Sequence, residues 1–255
     1  MRYPALLVLA ACRFHSPLIG DQADTSDAPG VVPDGGARQL CASDSHVPLC
    51  FSFDQSPLPP TLANEGYAPV SATLTNVTQT AGRDGNAVLL DTTSSIILPS
   101  TSAVTGIYTV EVWFRVDTDV ANGARSGVMD SNDLPQNISM FWYRTDPTHQ
   151  LSCGLGNQST TFVVDIAIGA WTYAACTCDQ GTVTIYVDGQ FVASANGDCG
   201  SGGALFPDGF VVGANNNGTG NGVSDWLVGA IDGLRLWTQP LSAEDVCKTA
   251  GRTGC

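Results

Sequence analysis

Residues 182–192 read Thr-Val-Thr-Ile-Tyr-Val-Asp-Gly-Gln-Phe-Val, and few folds accommodate that stretch. Val183, Ile185 and Val187 alternate with Thr182, Thr184 and Tyr186, so an extended chain here shows one apolar and one polar face. Asp188 and Gly189 then supply the positive φ angles of a two-residue hairpin turn and send the chain back antiparallel. The same period appears earlier. Tyr108, Val110, Val112, Phe114 and Val116 share one face, and Thr109, Glu111, Trp113 and Arg115 share the other. From Cys41 onward, short runs rich in Val, Ile, Thr, Tyr, Phe and Trp recur between Gly, Asn, Asp and Pro. One segment reads as a helix: Leu241–Gly251, with Ser242 as N-cap, Asp245 three residues on and Gly251 as the stop. Many short strands and one C-terminal helix predict an all-β, two-sheet antiparallel sandwich over residues 41–255.

The start of the chain speaks to compartment. "MRYPALLVLAAC" holds one charge, Arg2, followed by an apolar run too short to span a bilayer. Leu9-Ala10-Ala11-Cys12 resembles a bacterial lipobox, which implies cleavage of residues 1–11 as a signal peptide and lipidation of Cys12. Arg13, rather than Asp, follows that cysteine, and in bacterial lipoproteins this leans towards the outer membrane. Residues 12–40, rich in Asp, Gly, Pro and Ala, read as a flexible tether with a reach on the order of 30 Å. The chain carries a net charge of -14 with only 13% charged residues, and Lys248 is its one lysine. Nucleic-acid binding needs clustered Lys and Arg and is excluded.

Nine cysteines occur, and setting Cys12 aside leaves an even number in an exported chain, the expectation for disulfides. Neither Cys-x-x-Cys redox spacing nor zinc-ligand spacing is present in "ACTCD", residues 175–179. Local closure pairs Cys41 with Cys50 and Cys247 with Cys255. Cys176 and Cys178 share one strand face and cannot easily pair with each other. Cys178 lies at the strand end, nearer a loop cysteine, which gives Cys178–Cys199 and Cys153–Cys176; the opposite pairing stays open.

The order of the strands resembles a known family. "YTVEVWFRVD", "SGVMDSND", "WTYAACTCDQGTVTIYVDGQFVAS" and "GFVVGANNNGTGNGVSDWLVGAIDGLRLWTQPLSAEDV" resemble, in order, the blocks of laminin G-like, concanavalin A-like jelly rolls. The resemblance implies a jelly roll that binds glycans or proteins, often with calcium, and is rarely catalytic in itself. It also implies a structural ion between first and last strands, where Asp54 of "FSFD" and Asp232 of "AIDG" match.

Three chemistries can be weighed on named residues. Glycosidases of this fold use paired carboxylates on an E-x-D-x-(x)-E strand, whereas Glu65, Glu111 and Glu244 are the only glutamates and none belongs to such a motif. His149 stands beside no nucleophile motif. Glycan recognition calls for aromatic faces beside planar polar groups. Two places offer them: Glu111, Trp113 and Arg115 on one strand, and Trp142, Tyr143 and Arg144 in "MFWYR". Sheet packing explains either set equally simply. Calcium wants several oxygen ligands. Asp130, Asn132 and Asp133 offer one set, and Asn215, Asn216, Asn217 and Asp225 another, although turn chemistry favours the same residue types. The leading expectation is a lipid-anchored, non-catalytic cell-surface module that binds a glycan or an extracellular protein, with or without calcium. A structural or assembly envelope lipoprotein and a divergent glycoside hydrolase are the alternatives.

Overall fold

The alternation read at residues 108–116 becomes one central strand of a sandwich. The computed structural model describes residues 41, 44–132, 137–156, 159–164, 166–197, 199, 204–206, 209–218 and 222–255. The expectations for residues 1–40, Cys12 among them, and for Asp133 lie outside the described residues.

In chain order the strands are β1 (Leu49–Phe51), β2 (Thr61–Ala63), β3 (Ser71–Thr75), β4 (Thr78–Ala81), β5 (Asn86–Leu90), β6 (Ser95–Leu98) and β7 (Thr101–Thr105). Then come β8 (Thr109–Val116), β9 (Arg125–Asp130), β10 (Asn137–Thr145), β11 (Thr148–Gly156), β12 (Ser159–Val164), β13 (Trp171–Asp179) and β14 (Thr182–Val187). The last are β15 (Gln190–Asn196), β16 (Ala204–Phe206), β17 (Phe210–Val212), β18 (Asn215–Asn216), β19 (Val223–Ser224) and β20 (Gly229–Trp237), followed by the helix α1 (Ala243–Thr249).

Two eight-stranded antiparallel sheets carry the fold. The first runs β15-β14-β13-β8-β20-β5-β4, with β1 also paired to β20. The second runs β12-β11-β10-β9-β17-β6-β3-β2. Consecutive strands such as β13, β14 and β15 sit side by side because two-residue turns join them. Asp188 and Gly189 have φ +48° and +72°, and Gln180 and Gly181 have φ +46° and +79°. Gly189 has a second reason to be glycine: a Cβ there would stand 2.8 Å from the Ala250 side chain and 3.1 Å from Cys247.

The core lies between the sheets. Val110, Val112, Phe114 and Val116 of β8 meet Met129, Met140, Trp142 and Leu151 of the second sheet, all essentially without solvent contact. Truncating a ring such as Phe114 in such a core costs about 3–5 kcal/mol. A disulfide crosses the core between Cys153 on β11 and Cys176 on β13, with Cα atoms 6.3 Å apart. The others join Cys178 to Cys199, Cys41 to Cys50 and Cys247 to Cys255.

The helix begins where its cap residue stands: the Ser242 hydroxyl accepts from the Asp245 N–H at 3.1 Å, and Gly251 follows with φ +75°. Its buried residue, Val246, packs with Leu241 and Ala250 on Tyr173, Ala175 and Tyr186, which lie on the outer face of the first sheet. That face is therefore a second, smaller core. This departs from simple alternation, because both Thr109 and Glu111 on the "polar" side of β8 are fully buried.

Candidate functional site

The candidates Glu111, Trp113 and Arg115 sit on the covered outer face of the first sheet, and the structure separates their roles. Glu111 is sealed. Its carboxylate accepts from the Tyr173 hydroxyl and from Trp237 Nε1 at 3.0 Å, and it pairs with Arg235 Nε at 2.5 Å. The cation on Glu111 is thus Arg235, its register partner on β20, and not Arg115. Burial, with the Glu111 carboxylate adding to it, holds the Tyr173 phenol well above its ordinary pKa, so the proton stays on the tyrosine. Arg115 instead binds Asp117 with two hydrogen bonds of 2.6 and 2.9 Å and lies over the Trp171 ring. Trp113 is wedged between Tyr173 and the Arg83 guanidinium. Glu111 offers nothing to an outside ligand.

"MFWYR" also divides, because successive strand residues face opposite ways. Trp142 points into the core with no solvent contact, its Nε1 on Asp119 at 3.3 Å and its ring stacked on His149 at 4.6 Å. Trp142 therefore cannot stack on a sugar. Arg144 binds Asp146 at 2.7 Å and Asp119 at 3.3 Å. Tyr143 alone of the three faces outward on the second sheet. The pattern Ile138, Met140, Trp142 against Ser139, Phe141, Tyr143 contains this assignment.

Register builds a site around Tyr143. Across the outer face, Arg125 of β9, Tyr143 of β10, Gln150 of β11 and Val163 of β12 stand opposite one another in one row. The next row holds Gly127, Phe141, Ser152 and Thr161. The Arg125 guanidinium lies 4.3 Å from the Phe141 ring centroid. It donates to Asp225 at 2.7 Å and to Asn215 at 2.9 Å. Sequence reasoning missed Arg125 and Gln150, which have no local motif. Ser152 sits beneath this surface, 2% exposed, and its hydroxyl has no partner among the described residues. Gly127 is needed here: a Cβ would stand 2.3 Å from the Ala214 carbonyl carbon, where the β17–β20 connection crosses the sheet.

Both loops considered for calcium end on this same face, and neither is free to chelate. Asp130 accepts from the Asn132 N–H at 3.2 Å and the Asn216 N–H at 3.0 Å. Burial pushes its pKa up to about 6 against those bonds. Asn215 and Asp225 are bridged by Arg125, so a guanidinium already stands where the ion would go. Asn217 accepts from Asn215 Nδ2 and the Ser224 hydroxyl, which fixes the loop.

The Asp54 and Asp232 pair is different. Asp232, fully buried on β20, accepts from the N–H groups of Arg83 at 2.8 Å and Asp84 at 3.1 Å through Oδ2. Its Oδ1 has no partner among the described residues. Burial, with Asp54 and Asp84 adding like charge, raises its pKa to about 7. Asp54 accepts from the Asn86 N–H at 2.8 Å. Gly82 and Gly85 clear the space, since a Cβ would come within 2.6 Å of Asp232 and 2.2 Å of Asp54 respectively. An orphaned carboxylate oxygen beside a second carboxylate suits a hard cation such as calcium. As the side chains stand, no three His, Cys, Asp or Glu among the described residues form a metal cluster.

Comparison with known proteins adds the wider frame. No curated protein sequence matches the chain. Domain 4 of AbnA, a GH43 extracellular arabinanase from Geobacillus stearothermophilus solved in complex with arabinotriose, matches with a TM-score of 0.59 at 20% identity, covering 80% of this chain and 98% of that one. The binding domain of Paraclostridial Mosquitocidal Protein 1 matches at 0.61 and 13%, covering 83% and 52%. The binding domain of botulinum neurotoxin DC in complex with SialylT matches at 0.59 and 12%, again covering 83% and 52%. This chain thus spans about half the length of each toxin binding domain, and at these identities the likeness is one of fold. The family model of the concanavalin A-like lectin/glucanases superfamily matches residues 90–247, more than half of the chain. The protein therefore belongs to the concanavalin A-like, laminin G-type family.

Proposed function

We propose that this chain is a non-catalytic glycan-binding module whose ligand lies on the outer face of the second sheet, across Tyr143, Arg125 and Gln150. One observation carries the reading: register sets an aromatic, a guanidinium and a carboxamide side by side on a rigid sheet, over a buried hydroxyl that lacks a partner among the described residues. A sugar offers an apolar ring face and a girdle of hydroxyls, which is what such a row recognises. The arabinotriose bound by a neighbour of the same fold supports the choice of ligand class.

The state of the glutamates supports the non-catalytic reading. Glu65 accepts from Ser52 N and Oγ, Glu111 is sealed, and Glu244 stands on the helix surface bonded to Lys248. A glycosidase needs two carboxyl groups flanking the scissile bond. Calcium, in this proposal, is held by Asp54 and Asp232 and acts structurally, tying the β4–β5 turn to the last strand. The envelope anchor rests on Cys12, and Cys12→Ser should release the protein from membranes.

The test is a glycan array probed with the full chain, with and without a calcium chelator, beside Tyr143→Ala. Binding that Tyr143→Ala abolishes supports the site. Binding untouched by that change refutes it, and release of reducing sugar refutes the non-catalytic reading.

A further inference from the structure

A groove of about 510 Å³ opens on the other sheet, between the β13–β14 hairpin and the segment that leads into α1. Its volume matches that of small-molecule sites, about 300–1,000 Å³, but it is an open groove that leaves one side of a ligand in solvent. We propose that it is a second ligand site, separate from the Tyr143 face, that takes a neutral disaccharide.

The chemistry of the lining selects that class. The floor is a ladder of hydroxyls set by register: Thr177 opposite Thr184, and Asp179 opposite Thr182. Tyr186 forms one wall, and Pro240 and Leu241 face it from the C-terminal segment. The groove thus presents hydroxyls, one carboxylate and apolar flanks, which is the complement of a sugar's rim and ring face. No lysine or arginine is among the lining residues. Asp179 therefore repels phosphorylated, sulfated or sialylated ligands, whereas an uncharged sugar meets only donors and acceptors. Thr182, Thr184 and Asp179 make no side-chain hydrogen bond to the described residues, so their polar groups are available.

The walls are fixed in place. Thr109, opposite Thr177 on β8, donates to the Gln239 carbonyl at 2.9 Å and accepts from the Leu241 N–H at 3.0 Å. These bonds hold the C-terminal segment at a set distance from the sheet. A preformed site costs little ordering entropy when it binds, which is how a weak hydroxyl-based site can still be specific. This proposal does not depend on the Tyr143 face, since the groove is on the opposite sheet.

The experiment is a titration of the isotope-labelled full chain with cellobiose, maltose and xylobiose, followed through threonine methyl resonances. At least one sugar should shift Thr182 and Thr184 saturably. Thr184→Val keeps the β-branched shape and removes one hydroxyl, so it should weaken that binding about tenfold. Thr182→Lys, which projects a long side chain into the groove, should abolish it. Tyr143→Ala should leave it unchanged. The proposal is overturned if none of the three sugars shifts these methyls, if neither threonine variant changes the affinity, or if Tyr143→Ala removes the shifts. Loss of array binding in Tyr143→Ala with the threonine shifts intact concerns the other face alone, so the two readings fail separately.

Discussion

The two sheets share one construction and present opposite outer faces. On the first, the chain's own C-terminal segment lays Leu241, Val246 and Ala250 over Tyr173, Ala175 and Tyr186. The polar side chains beneath, Glu111 and Arg235, form an ion pair, while Asp232 on the strand of Arg235 keeps one carboxylate oxygen without a partner among the described residues. On the second, Tyr143, Arg125 and Gln150 keep partial exposure. Ser152 goes without a partner among the described residues. A polar residue on a strand therefore says little about function until what covers it is known. Satisfied burial, as at Glu111, marks a structural role, and unsatisfied burial, at Ser152 on one sheet and Asp232 on the other, marks a group prepared for something else.

The largest effect should come from breaking the sealed face. Glu111→Leu leaves Arg235 buried without its carboxylate and strips Tyr173 and Trp237 of their acceptor. Removing one partner of a buried ion pair costs about 3–5 kcal/mol. For a domain of this size that corresponds to a fall of roughly 10 °C in melting temperature. Affinity for glycan at the Tyr143 face, measured below the new melting point, should not change. A variant that melted like the wild type would show that the two faces are not energetically distinct.

A comparable effect, tunable by pH, belongs to Asp232. Its folded pKa of about 7 lies above the ordinary carboxylate value of 3.8. Between those values the folded chain holds a proton that the unfolded chain has lost, so stability falls as pH rises from about 4 to 7, by a few kcal/mol. Asp130, raised to about 6, adds in the same direction. Calcium bound at Asp54 and Asp232 replaces the proton, so millimolar calcium should raise the melting temperature at pH 7.5 and have little effect at pH 5. Asp232→Asn should flatten the pH slope and remove the calcium response. Calorimetry across pH, with and without chelator, separates these outcomes.

Tyr143→Ala should cost about 1–2 kcal/mol of binding, a factor of roughly 5–30, from lost aromatic contact. Its melting temperature should hardly move, because the side chain is only partly buried. Trp142→Ala, one residue away, should do the reverse and destabilise the core by about 3–5 kcal/mol.

How much of this was legible follows from how local each signal is. The hairpin at Asp188-Gly189 and the Ser242 cap are written within a few residues, and both read directly. The sandwich followed from period two and from the order of the family-like blocks. Glu111 reads as a ligand candidate on a polar strand face, whereas it is buried and bonded to Trp237, 126 positions later. Arg125 carried no signal, since its partners Asp225 and Asn215 lie 100 and 90 residues away. Trp142 was legible in principle: it is in phase with Ile138 and Met140, and that pattern outranks its kinship with Tyr143.

The smallest effect is also the sharpest test of the comparison. Ser152 has a buried hydroxyl with no partner among the described residues, between Phe141 and Thr161 in the row beneath Tyr143. If that hydroxyl serves no ligand, Ser152→Ala should raise stability slightly, because it removes an unpaired buried group, and leave glycan affinity unchanged. If it is kept for a ligand, the same change removes an unpaired buried group and should raise stability, by at most about 1 kcal/mol. Glycan affinity should then fall by a similar amount, a few-fold. The second reading predicts opposite signs for melting temperature and affinity in a single variant. A Ser152→Ala protein that gains stability and loses nothing in binding would remove Ser152 from the ligand site, and the asymmetry between the two faces would shrink to Tyr143, Arg125 and Gln150.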